Sequence, residues 1–319
     1  MKILIVCSVT TGKVSPFVIE QTEALKNTGV EVAIFPIKRK GLVGYLTHFM
    51  MLKKEIRRIR PHIIHAHYGL SGLLANLQRR VPVITTFHGS DINDPRNLKF
   101  SVLTHLLSAA SIFVEESMMR RFKNNKYNFL IPCGIDTKTF YPIAKSDAIA
   151  LSGCSVKYTN ILFSSSFGVK VKNYPLAKEA CDLVEKLTGG KIKLIELKGY
   201  SRQQVNVLLN SVDCALLTSF SEGSPQFIKE AMACNCPVVS TNVGDVRHLY
   251  GNVEGCYLTE STPDDVAEKI MLALDFSRIN EKTKARDRIF ELMLDSERIA
   301  SRIKDVYACI IAKYHETQF

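Results

Sequence analysis

Short apolar runs recur along the chain and alternate with longer stretches in which apolar residues return every three or four positions. Six such runs come before or at Gly134, from KILIVCSV at the start to NFLIPCG. The clearest helical stretch between them is PFVIEQTEALKNTG, residues 16–29, which ends in a glycine stop signal. Alternating strands and helices of this kind predict a doubly wound parallel sheet in the first half of the chain.

The alternation is interrupted once and then resumes. Residues 136–159 lose the periodicity and predict a linker, after which the pattern restarts at NILFSSS and continues to PDDVAEKIMLALDF. We therefore expect an α/β fold with two Rossmann-like doubly wound domains facing a cleft, over residues 1–145 and 155–295. The helical segment 296–319 is expected to pack back towards the N-terminal domain. Neither domain has G-x-G-x-x-G after its first strand, which argues against a dinucleotide-dependent oxidoreductase.

The apolar runs are all too short to span a bilayer, which needs about 18 or more residues. The first run, MKILIVCSVTTGK, lacks a cleavage pattern and is interpreted as a strand rather than a signal peptide. Nine cysteines, an odd number without disulfide-framework spacing, favour a reducing compartment. Cys234 and Cys236 are interpreted as packing residues, because no second pair stands at zinc spacing. These features predict a cytoplasmic protein.

All the excess positive charge lies in the first half of the chain. Residues 1–150 contain 21 Lys and Arg against 10 Asp and Glu, whereas the remainder contains 21 of each. The segment LKKEIRRIR, residues 52–60, follows the apolar YLTHFMM, so a helix here is apolar early and basic late. Two interpretations stay open: an anionic membrane surface or phosphorylated acceptor, met at the cytoplasmic face of a membrane, or a solvated helix face. Nucleic acid is not expected as a partner, because no recognition motif accompanies the charge.

The stretch SEGSPQFIKEAMACNCPVVS, residues 221–240, continues a strand into a turn, a helix and a further strand. Ser224 and Pro225 predict the cap and the first residue of the helix. Glu222 then lies at the carboxyl end of a strand, where parallel sheets bind ligands, and Glu230 lies about 7 Å along the helix. Such carboxylates could hold hydroxyl groups at the two ends of a nucleotide sugar. Alternatively, Glu222 is a solvated turn residue and Glu230 an exposed helix position.

Four segments occur in a fixed order: HGSD (88–91), IPCGID (131–136), VKN (171–173) and SEGSPQFIKEAMACNCPVVSTNVGDV (221–246). Together they resemble the retaining glycosyltransferases of family 4, and the resemblance runs from the start of the chain to about residue 275. The E-x7-E spacing followed by EAMAC-x-x-PVV is its specific part. The resemblance implies the GT-B fold, with an N-terminal domain for the acceptor and a C-terminal domain for the nucleotide-sugar donor. It implies no metal ion and no other cofactor.

The resemblance also implies roles for the residues that match the family motifs. Glu222 would accept hydrogen bonds from donor-sugar hydroxyls near the reacting carbon, and Lys172 would neutralise the donor diphosphate. His88 would face the donor sugar across the cleft, and Glu230 would bind the ribose. The other residues expected to bind the donor are Gly223, Ser224, Gln226 and Lys170, and the loop near the phosphates and acceptor contains Gly12 and Lys13.

The chain departs from the family pattern at two positions of the donor domain. Phe167 stands where the family usually has an arginine, and Lys170 is a candidate for the second positive charge. Pro225 follows Ser224 where the family often has an aromatic residue and a glycine, and it has no amide hydrogen. The backbone hydrogen bond that an amide at this position would donate to the sugar is then either absent or donated by Gln226 instead.

We predict from these features a retaining, metal-independent transferase of the hexosyltransferase type. It would move a sugar from a nucleotide-diphosphate sugar to a saccharide or lipid-linked acceptor, in the synthesis of a cell-surface polysaccharide or glycolipid. One alternative is a nucleotide-sugar epimerase of the same fold, which would act without an acceptor. Another is a non-catalytic partner of other transferases, an interpretation that Phe167 and Pro225 keep open. A nucleic-acid-binding protein ranks last.

Overall fold

The computed structural model describes residues 1–10, 12–38, 41–122 and 127–316. The chain divides into two compact units. Unit 1 comprises Met1–Gly134 and Ser296–Phe319, and unit 2 comprises Ile135–Asp295. Each unit is built around its own mainly parallel sheet. This arrangement confirms the predicted α/β class with two Rossmann-like domains.

The strands follow the apolar runs of the sequence. They are β1 (Lys2–Thr10), β2 (Lys13–Val14), β3 (Glu31–Ile37), β4 (Ile63–His67), β5 (Val83–Phe87), β6 (Ala110–Phe113), β7 (Asn128–Leu130), β8 (Thr159–Phe163), β9 (Ile192–Glu196), β10 (Cys214–Leu217), β11 (Val238–Thr241) and β12 (Cys256–Thr259). Every residue of β4, β5, β6, β10 and β11 is buried, as expected of central strands covered on both faces.

The helices connect these strands and cover the sheets. They are α1 (Pro16–Asn27), α2 (Gly41–Ile59), α3 (Gly69–Asn76), α4 (Ser90–Asn93), α5 (Pro95–Leu107), α6 (Glu116–Arg120), α7 (Lys145–Ser152), α8 (Tyr174–Thr188), α9 (Arg202–Ser211), α10 (Gln226–Ala233), α11 (Val246–Tyr250), α12 (Pro263–Asn280), α13 (Ala285–Glu291) and α14 (Ser296–Glu316). None of these helices, over the residues described, is both long and apolar enough to cross a bilayer.

The sheet of unit 1 has its parallel strands in the order β3-β1-β4-β5-β6-β7, and β2 pairs antiparallel with the end of β1. Helix α14 returns to this unit and packs against α1. Its Tyr307 is fully buried, and Lys304 donates a hydrogen bond to the carbonyl of Thr28 at 2.7 Å. The last helix of the chain therefore completes the core of the first unit.

The sheet of unit 2 is wholly parallel in the order β12-β11-β10-β8-β9. Apolar side chains of β8, β10 and β11 pack against α8 and α12, including Phe163, Leu216 and Val239, which are all 0% exposed. Strand order reverses between β8 and β10, because the chain passes from β8 to β9 on one side and to β10 on the other. Parallel sheets bind ligands beside the carboxyl ends of the strands at such a reversal.

The two units divide about ten residues earlier than the domain limit expected at residue 145. Ile135 pairs with Asp295 in an isolated bridge, and its amide donates to the carbonyl of Leu294 at 2.9 Å. Phe140 is fully buried in unit 2, and α7 packs against α9 within the segment expected to be a linker. Residues 136–159 show no long hydrophobic periodicity, because they pack on unit 2 through the short helix α7 and through isolated side chains such as Phe140.

Candidate functional site

The loops after β8 and β10 are joined at the carboxyl edge of the unit 2 sheet. The hydroxyl of Thr218, after β10, donates to the carbonyls of Lys172 and Asn173, each at 3.0 Å. The amide of Phe220 donates to the carbonyl of Val171 at 2.9 Å. Residues Lys170–Lys172 form one 3₁₀ turn, which ends at Asn173 in the left-handed conformation (φ 51°). These bonds hold the VKN segment beside the loop that contains Glu222.

Lys172 and Glu222 form an ion pair at this edge. Lys172 Nζ lies 2.5 Å from Glu222 Oε1, and the hydroxyl of Ser219 donates to the same oxygen at 2.7 Å. The side chains of Lys172 and Glu222 are 20% and 16% exposed, so both are partly accessible to a ligand. The alternative in which Glu222 is a solvated turn residue is therefore wrong, because its carboxylate is held by two neighbours.

Helix α10 begins one residue later than the sequence predicts. Pro225 occupies the cap position and Gln226 is the first helical residue, so Ser224 does not cap the helix. The Ser224 hydroxyl instead donates to Asp245 Oδ2 at 2.5 Å, a bond strengthened by the negative charge of its acceptor. The half-buried Ser224 and Gln226 and the buried Gly223 thus lie at the amino end of α10, which favours an anion.

Gly244 allows the loop after β11 to approach Gly223 closely. It has φ +55°, and a Cβ atom here would lie 2.0 Å from the carbonyl oxygen of Gly223. The amide of the next residue, Asp245, donates to that same oxygen at 3.2 Å. Because β10 and β11 are neighbours in the sheet, the loops at their carboxyl ends support one another.

Glu230 lies further along α10 and is 4% exposed, which excludes the alternative of an exposed helix position. Its Oε1 accepts a hydrogen bond from Arg202 Nη2 at 2.7 Å. Arg202, the first residue of α9, also places its guanidinium 4.5 Å from the ring centre of Phe140. The residue predicted to bind ribose is therefore one member of a largely buried ion pair.

Phe167, which stands where the family usually has an arginine, packs against other aromatic rings of unit 2. Its ring stacks on Tyr174 at 4.1 Å between centroids and also packs against Phe163. The Ser166 hydroxyl and the Phe167 amide donate to Glu196 Oε1 at 2.6 and 2.9 Å, and these two bonds lower the pKa of Glu196. Lys170, the candidate for a replacement charge, is exposed on the 3₁₀ turn.

The predicted residues of unit 1 lie at the carboxyl edge of its own sheet. Gly12 (φ +83°) stands in the turn between β1 and β2, and both it and Lys13 are exposed. Lys13 pairs with Thr10 across this short hairpin. His88 follows β5 directly and is half-buried. The strand order brings β1, β4 and β5 side by side, so these loops share one edge.

Asp91 of the HGSD segment holds the backbone around His88. Its Oδ1 accepts bonds from the amides of His88 and Gly89, each at 3.0 Å, and its Oδ2 accepts one from the amide of Gly69 at 3.1 Å. Burial raises the pKa of Asp91 to about 6, although the backbone donors act in the opposite direction. Asp91 is therefore a structural residue that joins the loops after β4 and β5.

The two ring nitrogens of His88 face two different side chains of its unit. His88 Nε2 lies 2.9 Å from His67 Nδ1, and His88 Nδ1 lies 3.5 Å from Cys133 Sγ. His65 and His67 share one face of β4, as their alternation predicts, and their rings stack at 4.7 Å. Among the residues described, no group of three or more His, Cys, Asp or Glu side chains is placed to hold a metal ion.

The cysteines of unit 2 belong to its core. Cys234 and Cys236 are 0% and 1% exposed. Burial raises the pKa of the Cys236 thiol to about 12 and that of Cys234 well above its usual value. Thiols held in this way are unreactive, because the thiolate is the nucleophile and the metal ligand.

The predicted residues thus fall into two sets, one in each unit. In unit 2, Lys172 contacts Glu222 directly, and Glu230 is paired with Arg202. Sequence reasoning missed three residues here: Ser219, Asp245 and Arg202. The adjacency of β10 and β11 would have drawn attention to Asp245, because it follows the carboxyl end of a neighbouring strand. No comparable signal marked Arg202, since its partner lies 28 residues away.

Two family models match the chain. The model described as "Glycosyltransferase Family 4" matches residues 6–139, and the model described as "Glycosyl transferases group 1" matches residues 169–275. A putative teichuronic acid biosynthesis glycosyltransferase, TuaC of Bacillus subtilis, is 25% identical over 240 residues; the match covers 67% of this chain and 61% of TuaC, less than two thirds of that relative.

A second relative matches over most of its length. It is the N,N'-diacetylbacillosaminyl-diphospho-undecaprenol alpha-1,3-N-acetylgalactosaminyltransferase of Campylobacter jejuni, 25% identical over 342 residues, covering 92% of this chain and 89% of the relative. Among solved structures, sucrose-phosphate synthase from Thermosynechococcus elongatus gives a TM-score of 0.79 at 18% identity, covering 98% of this chain and 99% of that one. Anabaena HepE, in complex with UDP and glucose, gives 0.65 at 18% identity, covering 100% and 99%.

Proposed function

This chain belongs to glycosyltransferase family 4 and has the GT-B fold, and from that premise we propose that it transfers a sugar from a nucleotide diphosphate donor with retention of configuration. The observation that carries the proposal is the Lys172–Glu222 ion pair at the point where strand order reverses in unit 2. This is where an open parallel sheet binds a ligand, and the pair combines a phosphate-binding cation with a hydroxyl-binding carboxylate.

The chemistry requires charge stabilisation more than a strong base. As the bond to the diphosphate breaks, negative charge grows on the leaving group and positive charge on the sugar ring. Lys172 and the amino end of α10 would stabilise the first, and the Glu222 carboxylate would stabilise the second and orient the sugar hydroxyls. These groups need no metal ion. The leaving phosphate would itself accept the proton of the acceptor on the same face of the sugar.

Glu230 would bind the ribose of the nucleotide. Its carboxylate is already held by Arg202, so one oxygen is paired while the carboxylate can still accept further hydrogen bonds. HepE is a structural neighbour solved with UDP and glucose, which makes a UDP-sugar the first donor to test. Gly223, Ser224 and Gln226, at the start of α10, would contact the donor between the two carboxylates.

The acceptor is proposed to be a saccharide or a lipid-linked saccharide. The Campylobacter relative is named for an undecaprenol-linked acceptor, and unit 1 contains a basic region that suits such a molecule. A cavity of about 360 Å³ between the end of α2 and the residues before β5 is lined by four cationic residues, Lys53, Arg57, Arg60 and Arg80. Nearby on α2, Met50 and Met51 are 66% and 57% exposed. Exposed apolar and cationic side chains on one helix suit the surface of an anionic membrane.

Membrane contact is tested by sedimentation with vesicles. We expect the protein to sediment with phosphatidylcholine vesicles that contain phosphatidylglycerol and to remain in solution with phosphatidylcholine alone. Arg57→Glu should reduce the fraction of protein that sediments with the anionic vesicles. Lys26→Glu, on the exposed face of α1, makes the same change of charge and should reduce that fraction less. Equal loss in the two variants, or no sedimentation with either vesicle, would refute this part of the proposal.

The transferase activity is tested first by a screen of UDP-, GDP- and ADP-sugars for thermal stabilisation, because a ligand that binds only the folded chain raises the melting temperature. The stabilising donor is then incubated with saccharide and lipid-linked acceptors, and the anomeric configuration of the product is measured by NMR. Release of free sugar or nucleotide without an acceptor would instead favour the epimerase. If none of the donors stabilises the protein, the non-catalytic partner is favoured. Phe167 agrees with that alternative, because it packs on Tyr174 where the family usually has an arginine.

A further inference from the structure

Three histidine rings of unit 1 form a row from its core to the edge of its sheet. His65 stacks on His67 with centroids 4.7 Å apart, and His67 stacks on His88 with centroids 5.2 Å apart, each pair with rings 24° from parallel. His65 and His67 are fully buried, whereas His88 is half-buried. The family motif accounts for His88 alone, so the two buried histidines need a separate explanation.

The inner end of the row is held rigidly. His65 Nδ1 lies 2.6 Å from the Tyr307 hydroxyl of α14, and His65 Nε2 lies 2.7 Å from the Thr86 hydroxyl of β5. Both ring nitrogens of His65 are therefore used, which fixes its plane. Because His67 stacks on that plane, its own ring is also held in orientation.

Which of the two nitrogens donates the hydrogen bond between His67 and His88 follows from the environment of the His67 ring. Two ring nitrogens 2.9 Å apart are bridged by one proton, so either His67 Nδ1 or His88 Nε2 is the donor. The other nitrogen of His67, Nε2, is buried and meets no protein partner among the residues described. A proton on Nε2 would leave an N–H without an acceptor, and buried orphan N–H groups are the rarest kind. The proton therefore belongs on Nδ1.

We propose that His67 is a positioning residue that donates from Nδ1 to His88 Nε2 and so holds His88 in its Nδ1–H tautomer. His88 then acts as a hydrogen-bond donor, because the lone pair of its Nε2 is occupied by His67. It cannot be the base that takes the proton of the acceptor. This inference rests on the proposed glycosyltransferase function, to which it adds the protonation state and the role of His88.

Two observations agree with this assignment. Burial lowers the pKa of His67 to about 3, so its ring is neutral near pH 7 and carries a single N–H. The Nδ1–H of His88 points at Cys133 Sγ, 3.5 Å away, and a thiol sulfur is a weak acceptor. A sugar hydroxyl is a better acceptor than this sulfur and would replace it as the partner of the N–H group.

The tautomer is measured directly by ¹⁵N NMR of the histidine side chains. In the parent protein at pH 7.5 we expect Nδ1 of His88 to be protonated and Nε2 to be unprotonated. His67→Phe removes the donor and should shift His88 towards a mixture of tautomers. His67→Asn places an amide N–H near the position of Nδ1 and should restore the parent spectrum of His88. Tyr307→Phe is the control: it removes one of the two hydrogen bonds of His65, the bond to Thr86 still holds that ring, and the parent spectrum of His88 should be kept.

Activity supplies a second readout. His67→Phe should lower kcat/KM by about tenfold, the scale of one hydrogen bond, and His67→Asn should recover most of that loss. A parent spectrum with the proton on Nε2 of His88 would overturn the proposal, even if His67→Phe fails to fold. Equal spectra and equal activities of the Phe and Asn variants would overturn it as well. If no donor sugar is turned over by the parent protein, the proposed function fails, while the spectrum still decides the tautomer.

Discussion

Lys172 Nζ lies 2.5 Å from Glu222 Oε1, although the two residues are 50 positions apart and follow different strands of the sheet. The pair is therefore a product of strand order, which places the carboxyl ends of β8 and β10 side by side. A bound diphosphate would compete with Glu222 for the ammonium group of Lys172. The two side chains should consequently act as one unit, and their substitutions should not be additive.

Glu222→Ala should lower kcat by about 10²-fold or more, the scale of losing one electrostatic contact in a transition state. Glu222→Gln should lose most of the same activity, because it keeps the shape but removes the charge. Glu179→Ala, which removes an exposed carboxylate from α8, provides the control. Initial rates of donor turnover decide the question, and equal rates for the parent and Glu222→Ala would refute the assigned role.

Lys172→Met should weaken donor binding by about tenfold, because a charge-assisted contact to phosphate is lost. Lys170→Met tests whether that exposed lysine supplies a second charge; a smaller loss is expected, since the side chain lies in solvent. Lys186→Met, on the exposed face of α8, controls for the change in net charge. Calorimetric titration with the stabilising nucleotide sugar gives the affinities. Unchanged affinity in Lys172→Met would contradict the proposed site.

Arg202→Met should destabilise unit 2 by about 3 kcal/mol, because it leaves the Glu230 carboxylate buried without its cation. Glu230→Gln should cost less, since the Arg202 side chain is 26% exposed and keeps contact with solvent. Chemical unfolding of both single variants and of the double variant gives the coupling between them. If the double variant is as unstable as the sum of the two singles, the pair is not a stabilising interaction.

Gly244→Ala should disturb the loop of Gly223, because the new Cβ would lie 2.0 Å from its carbonyl oxygen. Gly189→Ala is a matched control: that residue also has positive φ (+67°) but has nothing within 4 Å of a Cβ atom. The control should lose about 1 kcal/mol from backbone strain and keep its donor affinity. Gly244→Ala should lose more stability and also bind the donor more weakly. Similar losses in both variants would show that the close approach is unimportant.

Asp91→Asn should change how stability depends on pH. The pKa of Asp91 is raised in the folded state from 3.8 to about 6, so its stabilising effect is full below pH 4 and is lost as pH rises through 6. The unfolding free energy of the parent, relative to the variant, should therefore fall by up to about 3 kcal/mol between pH 4 and 7. Denaturant titrations at several pH values measure this difference, and Asp305→Asn corrects for net charge. A difference that rises with pH would contradict the assignment.

The chain by itself determined the elements of the fold and the position of the loop that contains Glu222. Apolar runs such as KILIVCSV and CALLTSF predicted the buried strands, because a fully buried parallel strand needs a continuous apolar run. The SEGSPQ segment had to lie at the carboxyl edge of a sheet, since it follows a strand and precedes a helix. Glu222 and Lys172 could therefore be singled out from local pattern and family resemblance.

Only the tertiary structure decided which side chains meet. Ser224 was expected to cap α10 but donates to Asp245, 21 residues away, and Glu230 meets Arg202 across 28 residues. His88 is likewise held by His67, which stands 21 positions earlier on a neighbouring strand. These contacts depend on strand order and register, which hydrophobic periodicity does not encode because it reports only whether a position is buried. The local sequence thus predicts which positions are buried, whereas the order of the strands decides which side chains contact one another.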